Sequence, residues 1–119
     1  MIPQPFSARI RLQAGAVVID LSGEINAAAE VLLNEAYAEA EKQSPAAIIL
    51  NFKETGFINS TGIALIVSLL SRARKDHRPL VAFGLSDHYQ EIFHITRLAD
   101  FMTIVPDEIS ALAEIPDRF

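Results

Sequence analysis

Ala47-Ile48-Ile49-Leu50-Asn51-Phe52 is followed, across a loop at Lys53 to Asn59, by Ser60-Thr61-Gly62-Ile63-Ala64-Leu65-Ile66-Val67. The first run shows no polar alternation until its end, which is how a strand buried on both faces of a parallel sheet reads. The second opens a segment that carries Ile63, Ile66, Val67 and Leu70 at the spacing of one buried helical stripe, with Leu65, Ser68 and Arg72 pointing elsewhere. A buried strand that feeds a helix is half of a crossover unit, so the flanking sequence should supply its parallel partners.

It does so on both sides. Upstream, Ala8 to Gln13 sets Ile10 and Leu12 in alternation with Arg9 and Arg11, and after Gly15 the run Ala16-Val17-Val18-Ile19-Asp20-Leu21 reads as a more central strand; the two predict a hairpin. Asn26 reads as a helix cap ahead of an alanine-rich segment whose Leu32, Leu33, Ala36, Tyr37 and Ala40 share a face, with Pro45 marking its end. Downstream, Pro79 precedes the strand Leu80-Val81-Ala82-Phe83, and Gly84 leads to a helix from about Ser86 with Tyr89, Ile92 and Phe93 inward. Phe101 to Val105 reads as a last strand, and Asp107 as the cap of a terminal helix through Ile109, Leu112 and Ala113 that Pro116 stops. The expectation is one α/β domain over residues 1–119: a mixed, mostly parallel sheet of four to five strands, with an N-terminal hairpin and about four helices.

The 119 residues carry a formal net charge of −5, which argues against a general nucleic-acid binder, and no cysteine, which removes disulfides, thiol nucleophiles and thiolate metal sites. No window has the apolar length of a membrane span, and Met1-Ile2-Pro3-Gln4-Pro5 has neither a basic region nor an apolar signal core, so a cytoplasmic protein is expected. Arg72, Arg74, Lys75, His77 and Arg78 form a basic cluster where the helix after Ser60 ends. Positive charge there offsets the helix dipole; the alternative is docking of an acidic partner or a nucleotide phosphate.

Ser60 opens a helix directly after a buried strand, near unpaired backbone amides at a positive dipole end. Such a place suits an anion, and a phosphoryl group there would add about −1.5 to −2 charge. Gly62, without a side chain, is expected to let another chain or a nucleotide approach the backbone, and Leu65 to supply an outward apolar anchor. The plain reading of Asn59-Ser60-Thr61 is an ordinary helix cap.

Leu21-Ser22-Gly23-Glu24-Ile25-Asn26 and Phe57-Ile58-Asn59-Ser60-Thr61-Gly62-Ile63-Ala64 are similar to the Gly-Glu-Leu-Asp and Asp-Ser-Thr/Ser-Gly-Leu segments of the STAS domain family, named for sulfate transporters and anti-sigma factor antagonists. Phe93-His94-Ile95-Thr96-Arg97-Leu98 is similar to the region where these domains end their third helix, so the resemblance runs over nearly the whole chain. It implies a partner-binding face of Asn26, Asn59, Ser60, Thr61, Gly62 and Leu65, with Ser60 as the phosphoacceptor. It also implies a cycle. The unphosphorylated domain binds an anti-sigma factor that is also its serine kinase, phosphorylation ends binding, and a phosphatase restores it. Both family aspartates are amides here, Asn26 and Asn59, which keeps capping ability and removes two carboxylates. A constitutive scaffold or transporter-associated subunit without phosphorylation is therefore the alternative.

No enzyme, metal or cofactor is expected. A hydrolase elbow needs glycine two residues before the serine, where Ile58 stands, and His77, His88 and His94 lie in solvated contexts without metal-ligand spacing. The scattered glycines form no phosphate-loop fingerprint, so nucleotide binding, credited to some STAS relatives, would rest on the Ser60 backbone amides alone. Asn59-Ser60-Thr61 matches a glycosylation sequon by coincidence, and Tyr89, Phe93 and Phe101 read as core aromatics.

Overall fold

The computed structural model describes residues 4–116. The domain expectation for residues 1–119 and the reading of the amino-terminal segment extend over residues 1–3 and 117–119, which lie outside the described residues. Five strands form one sheet in the order β1-β2-β3-β4-β5. β1 (Ser7–Gln13) and β2 (Ala16–Ile25) make the expected antiparallel hairpin, with Gln13 opposite Ala16. β3 (Ile48–Ile58), β4 (Leu80–Phe83) and β5 (Thr103–Val105) then add in parallel. The connecting helices are α1 (Glu30–Lys42), α2 (Ser60–Lys75) and α3 (Asp87–Ile95); α4 (Glu108–Leu112) follows the last strand.

Because each crossover adds its strand on the same side of the last, right-handed connections place α1, α2 and α3 on one face. The core shows it. Val17, Ile19, Leu21, Ile48, Leu50, Phe52, Leu80 and Ala82 point toward Leu33, Tyr37, Leu69, Ala73 and Phe93 of those three helices. The alternate residues Val18, Ile49, Val81 and Phe83 point to the other face, where α4 places Ala111. Burial on both sides is why these strands carry continuous apolar runs.

Several elements differ from the sequence reading. β3 continues to Ile58 where a loop was expected from Lys53, because its second half pairs with the end of β2 through Ser22↔Glu54, Gly23↔Thr55 and Ile25↔Ile58. The backbone is paired while Lys53, Glu54, Gly56 and Phe57 stay exposed, so no apolar period marks the strand. Register shifts between Asp20 and Ser22 and between Gly23 and Ile25 blur it further. In α2 the buried stripe is Gly62, Leu65, Ile66, Leu69, Leu70 and Ala73, one step round from the expected one, and Val67 is exposed. Leu65 therefore lies inside, only 9% exposed, and not on the outer side. Leu32 is also exposed, leaving Leu33, Tyr37 and Ala40 to anchor α1. Phe101 precedes β5 after a 3₁₀ turn at Leu98–Asp100 and is 53% exposed, so it is not a core aromatic, and in α4 Ala111 is buried while Ile109 faces solvent.

Candidate partner-binding face at the start of α2

β2 and β3 end side by side, with Ile25 opposite Ile58, so the residues that follow, Asn26 and Asn59, emerge at the same end of the sheet. Each caps a helical start. Asn59 Oδ1 accepts the Gly62 N–H at 2.9 Å, and the Asn59 carbonyl accepts the first helical bond, from Ile63 N–H, at 2.9 Å. Asn26 Oδ1 accepts the Ala28 N–H at 2.9 Å and caps the 3₁₀ turn Ala27–Ala29 that leads into α1. An amide oxygen serves here as a carboxylate would, without its charge.

Since Asn59 holds the cap, Ser60 is the first helical residue, and both it and Thr61 are exposed. The Ser60 hydroxyl has no hydrogen-bond partner among the described residues, and the N–H groups of a helix's first turn lack intrahelical acceptors. The first turn of α2 contains no acidic residue, so its positive dipole end is not offset.

Gly62 plays a different part from the one expected. It is buried, and a β-carbon there would lie 2.1 Å from the Ile25 carbonyl oxygen and 2.9 Å from Ile58 Cγ2. The close approach that requires glycine is thus made within the chain, between α2 and the end of β2, and not toward a partner. The Ile25 carbonyl also accepts the Asn59 N–H at 3.2 Å, which fixes the strand-to-helix corner.

Two residues that the sequence reading did not assign to the site belong to its geometry. Phe57, 63% exposed and three residues before Ser60, is the outward apolar group that Leu65 was expected to be. Its signal lay in strand alternation, since a buried Ile58 turns its neighbour outward. Tyr89 of α3 reaches beneath the corner, and its hydroxyl accepts the Ile58 backbone N–H at 2.8 Å. Ser86 caps α3 by accepting the Tyr89 N–H at 3.3 Å.

The three histidines are exposed, and among the described residues no three His, Cys, Asp or Glu side chains approach one another as a metal-ligand set. Among those residues no helix is long and apolar enough to cross a membrane.

Residues 7–111 match the family model described as STAS domain, and this chain belongs to that family. An anti-sigma-B factor antagonist of Listeria monocytogenes is 30% identical over 86 residues, which are 72% of this chain and 75% of that protein. Among solved structures, an anti-sigma factor antagonist from Mycobacterium paratuberculosis superposes with a TM-score of 0.83 at 19% identity, covering 98% of this chain and all 100% of that one. The Bacillus cell fate determinant SpoIIAA, solved in its phosphorylated form, superposes with a TM-score of 0.70 at 20% identity, covering 92% of this chain and 100% of that one. The last two likenesses show the fold.

Proposed function

We propose that residues 1–119 act as one cytoplasmic STAS domain that antagonises an anti-sigma factor by binding it, without catalytic turnover, through the face around Asn26, Phe57, Asn59, Ser60 and Thr61. The observation that carries this reading is the division of labour at the start of α2: Asn59 does the capping, which leaves an exposed Ser60 hydroxyl in a first turn without carboxylates. The antagonist named in Listeria monocytogenes supports the partner class. Gly62 and Leu65 serve this face from beneath, by fixing how α2 sits.

Control is by phosphate on Ser60. The kinase that is also the anti-sigma factor transfers the γ-phosphoryl group of ATP: the Ser60 Oγ–P bond forms, the bond to ADP breaks, and the hydroxyl proton passes to a base of the kinase. A dianionic group then stands in a first turn that held no carboxylate, and it disfavours any contact that needs this helix start neutral or apolar. A phosphatase reverses the step. Incubation with ATP and a serine-kinase anti-sigma factor of the same organism, followed by intact-mass measurement, should show one added phosphoryl group that disappears in Ser60→Ala. No addition, or addition that survives the substitution, overturns the switch.

A second reading, a constitutive scaffold or transporter-associated subunit, is favoured by one observation: Asn26 and Asn59 stand where the family segments carry acids. It requires partner affinity to be the same in Ser60→Asp as in the native chain.

A further inference from the structure

The basic cluster at the carboxyl end of α2 does not act as one unit. The Arg72 guanidinium lies 4.6 Å from the Tyr37 ring centre and pairs with Glu41, and Arg78 Nε donates to the Pro45 carbonyl at 3.1 Å. Those two tie α2 and its following turn to α1 and the loop before β3. Arg74 and Lys75 belong to a different setting. The Arg74 guanidinium rests 4.3 Å from the centre of the Phe101 ring, and Arg74, Lys75 and Arg97 border a groove of about 590 Å³ whose apolar lining includes Val67, Leu70 and Phe101.

Two features mark this groove. Val67 and Phe101 leave aliphatic and aromatic area in contact with water beside each other, where burial of such groups is ordinarily favourable. Three cations drawn from α2 and from the turn after α3 converge on it, although the whole chain carries −5. Arg97 pairs with Asp100 at 2.8 Å, but an exposed pair of this kind contributes little and leaves other guanidinium N–H groups available. Lys75 makes no ion pair among the described residues.

We propose that this groove docks an acidic amphipathic segment of a partner protein, with its apolar side chains on Val67, Leu70 and Phe101 and its carboxylates toward Arg74, Lys75 and Arg97. Charge and shape select this occupant. A two-fold contact with a second copy would set the same three cations against themselves. An anionic bilayer would meet a net negative protein through a concave patch. Arg74 lies fourteen residues beyond Ser60 on one helix, a separation of about 21 Å, so this contact and the one at Ser60 can be made together. The groove is thus a second docking point, independent of phosphate on Ser60.

The test is an NMR titration of the isotopically labelled full chain with a synthetic helical peptide of about 15 residues bearing leucine on one face and glutamate on the other. A peptide with lysine in place of glutamate is the control. Saturable shifts at the amides of Val67, Ser71, Arg74, Lys75, Arg97 and Phe101 are expected, with affinity reduced at least about tenfold in Arg74→Glu/Lys75→Glu. The dispersed spectrum of that variant reports its folding, and Phe101→Ser should weaken the same shifts without altering charge. Equal binding of the lysine peptide, shifts centred on Ser60 in place of the groove, or no saturable shift would overturn the proposal. So would concentration-dependent shifts at the groove without peptide, which mark a second copy, or phosphatidylglycerol vesicles competing the glutamate peptide away from it.

Discussion

Gly62 and Ile25 are in backbone contact: a β-carbon on residue 62 would sit 2.1 Å from the Ile25 carbonyl oxygen. The nearest obstacle is the Ile25 backbone, held by strand pairing, which cannot yield as a flexible side chain would, so Gly62→Ala must move α2 away from β2. The expected cost is about 1–3 kcal/mol, the range for overpacking a filled site. Thermal unfolding should fall by several degrees, and an unchanged midpoint would mean that the corner between β3 and α2 is slack.

The two tyrosines should respond oppositely to loss of the hydroxyl. The Tyr89 hydroxyl accepts the Ile58 N–H, so Tyr89→Phe leaves a buried donor unpaired and should cost about 1–3 kcal/mol. The Tyr37 hydroxyl is buried and makes no hydrogen bond to a protein group, and burial pushes its pKa up to about 12. The ring keeps its contact with Arg72 in either form. Tyr37→Phe should therefore be neutral within about 0.5 kcal/mol, or stabilising. Chemical denaturation of both variants side by side checks the contrast.

Asn59 separates capping from charge. Asn59→Ala removes the acceptor for the Gly62 N–H and should cost about 1 kcal/mol. Asn59→Asp keeps the acceptor and places a carboxylate at the positive end of α2, so its stability at neutral pH should equal or exceed that of the native chain. Thermal melts at low ionic strength distinguish the two; a large loss in Asn59→Asp would show that the site rejects the family's acid.

Acid stability should depend on Arg11. Its guanidinium bonds Asp20 at 2.6 and 3.0 Å and Glu108 at 2.7 and 3.2 Å, joining β1 and β2 to α4. For Asp20 burial is the largest single influence and acts upward, but hydrogen bonds from Arg11 and Asn51 with the charges of Arg11 and Arg9 bring it below the usual carboxylate range. Glu108 is lowered chiefly by its hydrogen bond to Arg11. Groups depressed in the folded state contribute stability above their unfolded values, near pH 4, and lose it as pH falls through the folded ones. Arg11→Met should therefore cost about 1 kcal/mol at neutral pH, discounted for the partial exposure of all three groups. Urea midpoints at about pH 7 and about pH 2.5 should show a smaller difference in acid.

The sheet was legible because its central strands are apolar on both faces; Val17 to Ile19 and Ile48 to Leu50 leave no other reading. The helix phase of α2 was not. Ile63 to Val67 is apolar almost without a break, so a wheel can be turned by one residue at little apparent cost, and what sets the phase is the contact of Gly62 with Ile25, a long-range fact. Leu65 and Val67 exchanged inside and outside for that reason. The end of β3 was hidden because backbone pairing with β2 holds Lys53 to Phe57 extended while their side chains stay wet. Ser60, Asn59 and Asn26 were placed correctly at helical starts, because caps are local chemistry. Phe57 and the groove beside Phe101 depend on which apolar residues the fold leaves uncovered, and composition alone does not show that.

A negative charge on Ser60 is expected to end binding of an anti-sigma factor. Calorimetric titration of a serine-kinase anti-sigma factor of the same organism with the native chain, Ser60→Ala and Ser60→Asp measures this. Native chain and Ser60→Ala should bind alike, and Ser60→Asp at least about tenfold more weakly, about 1.4 kcal/mol. Equal affinity of all three, with each variant folded, would contradict the switch and leave a constitutive binding domain.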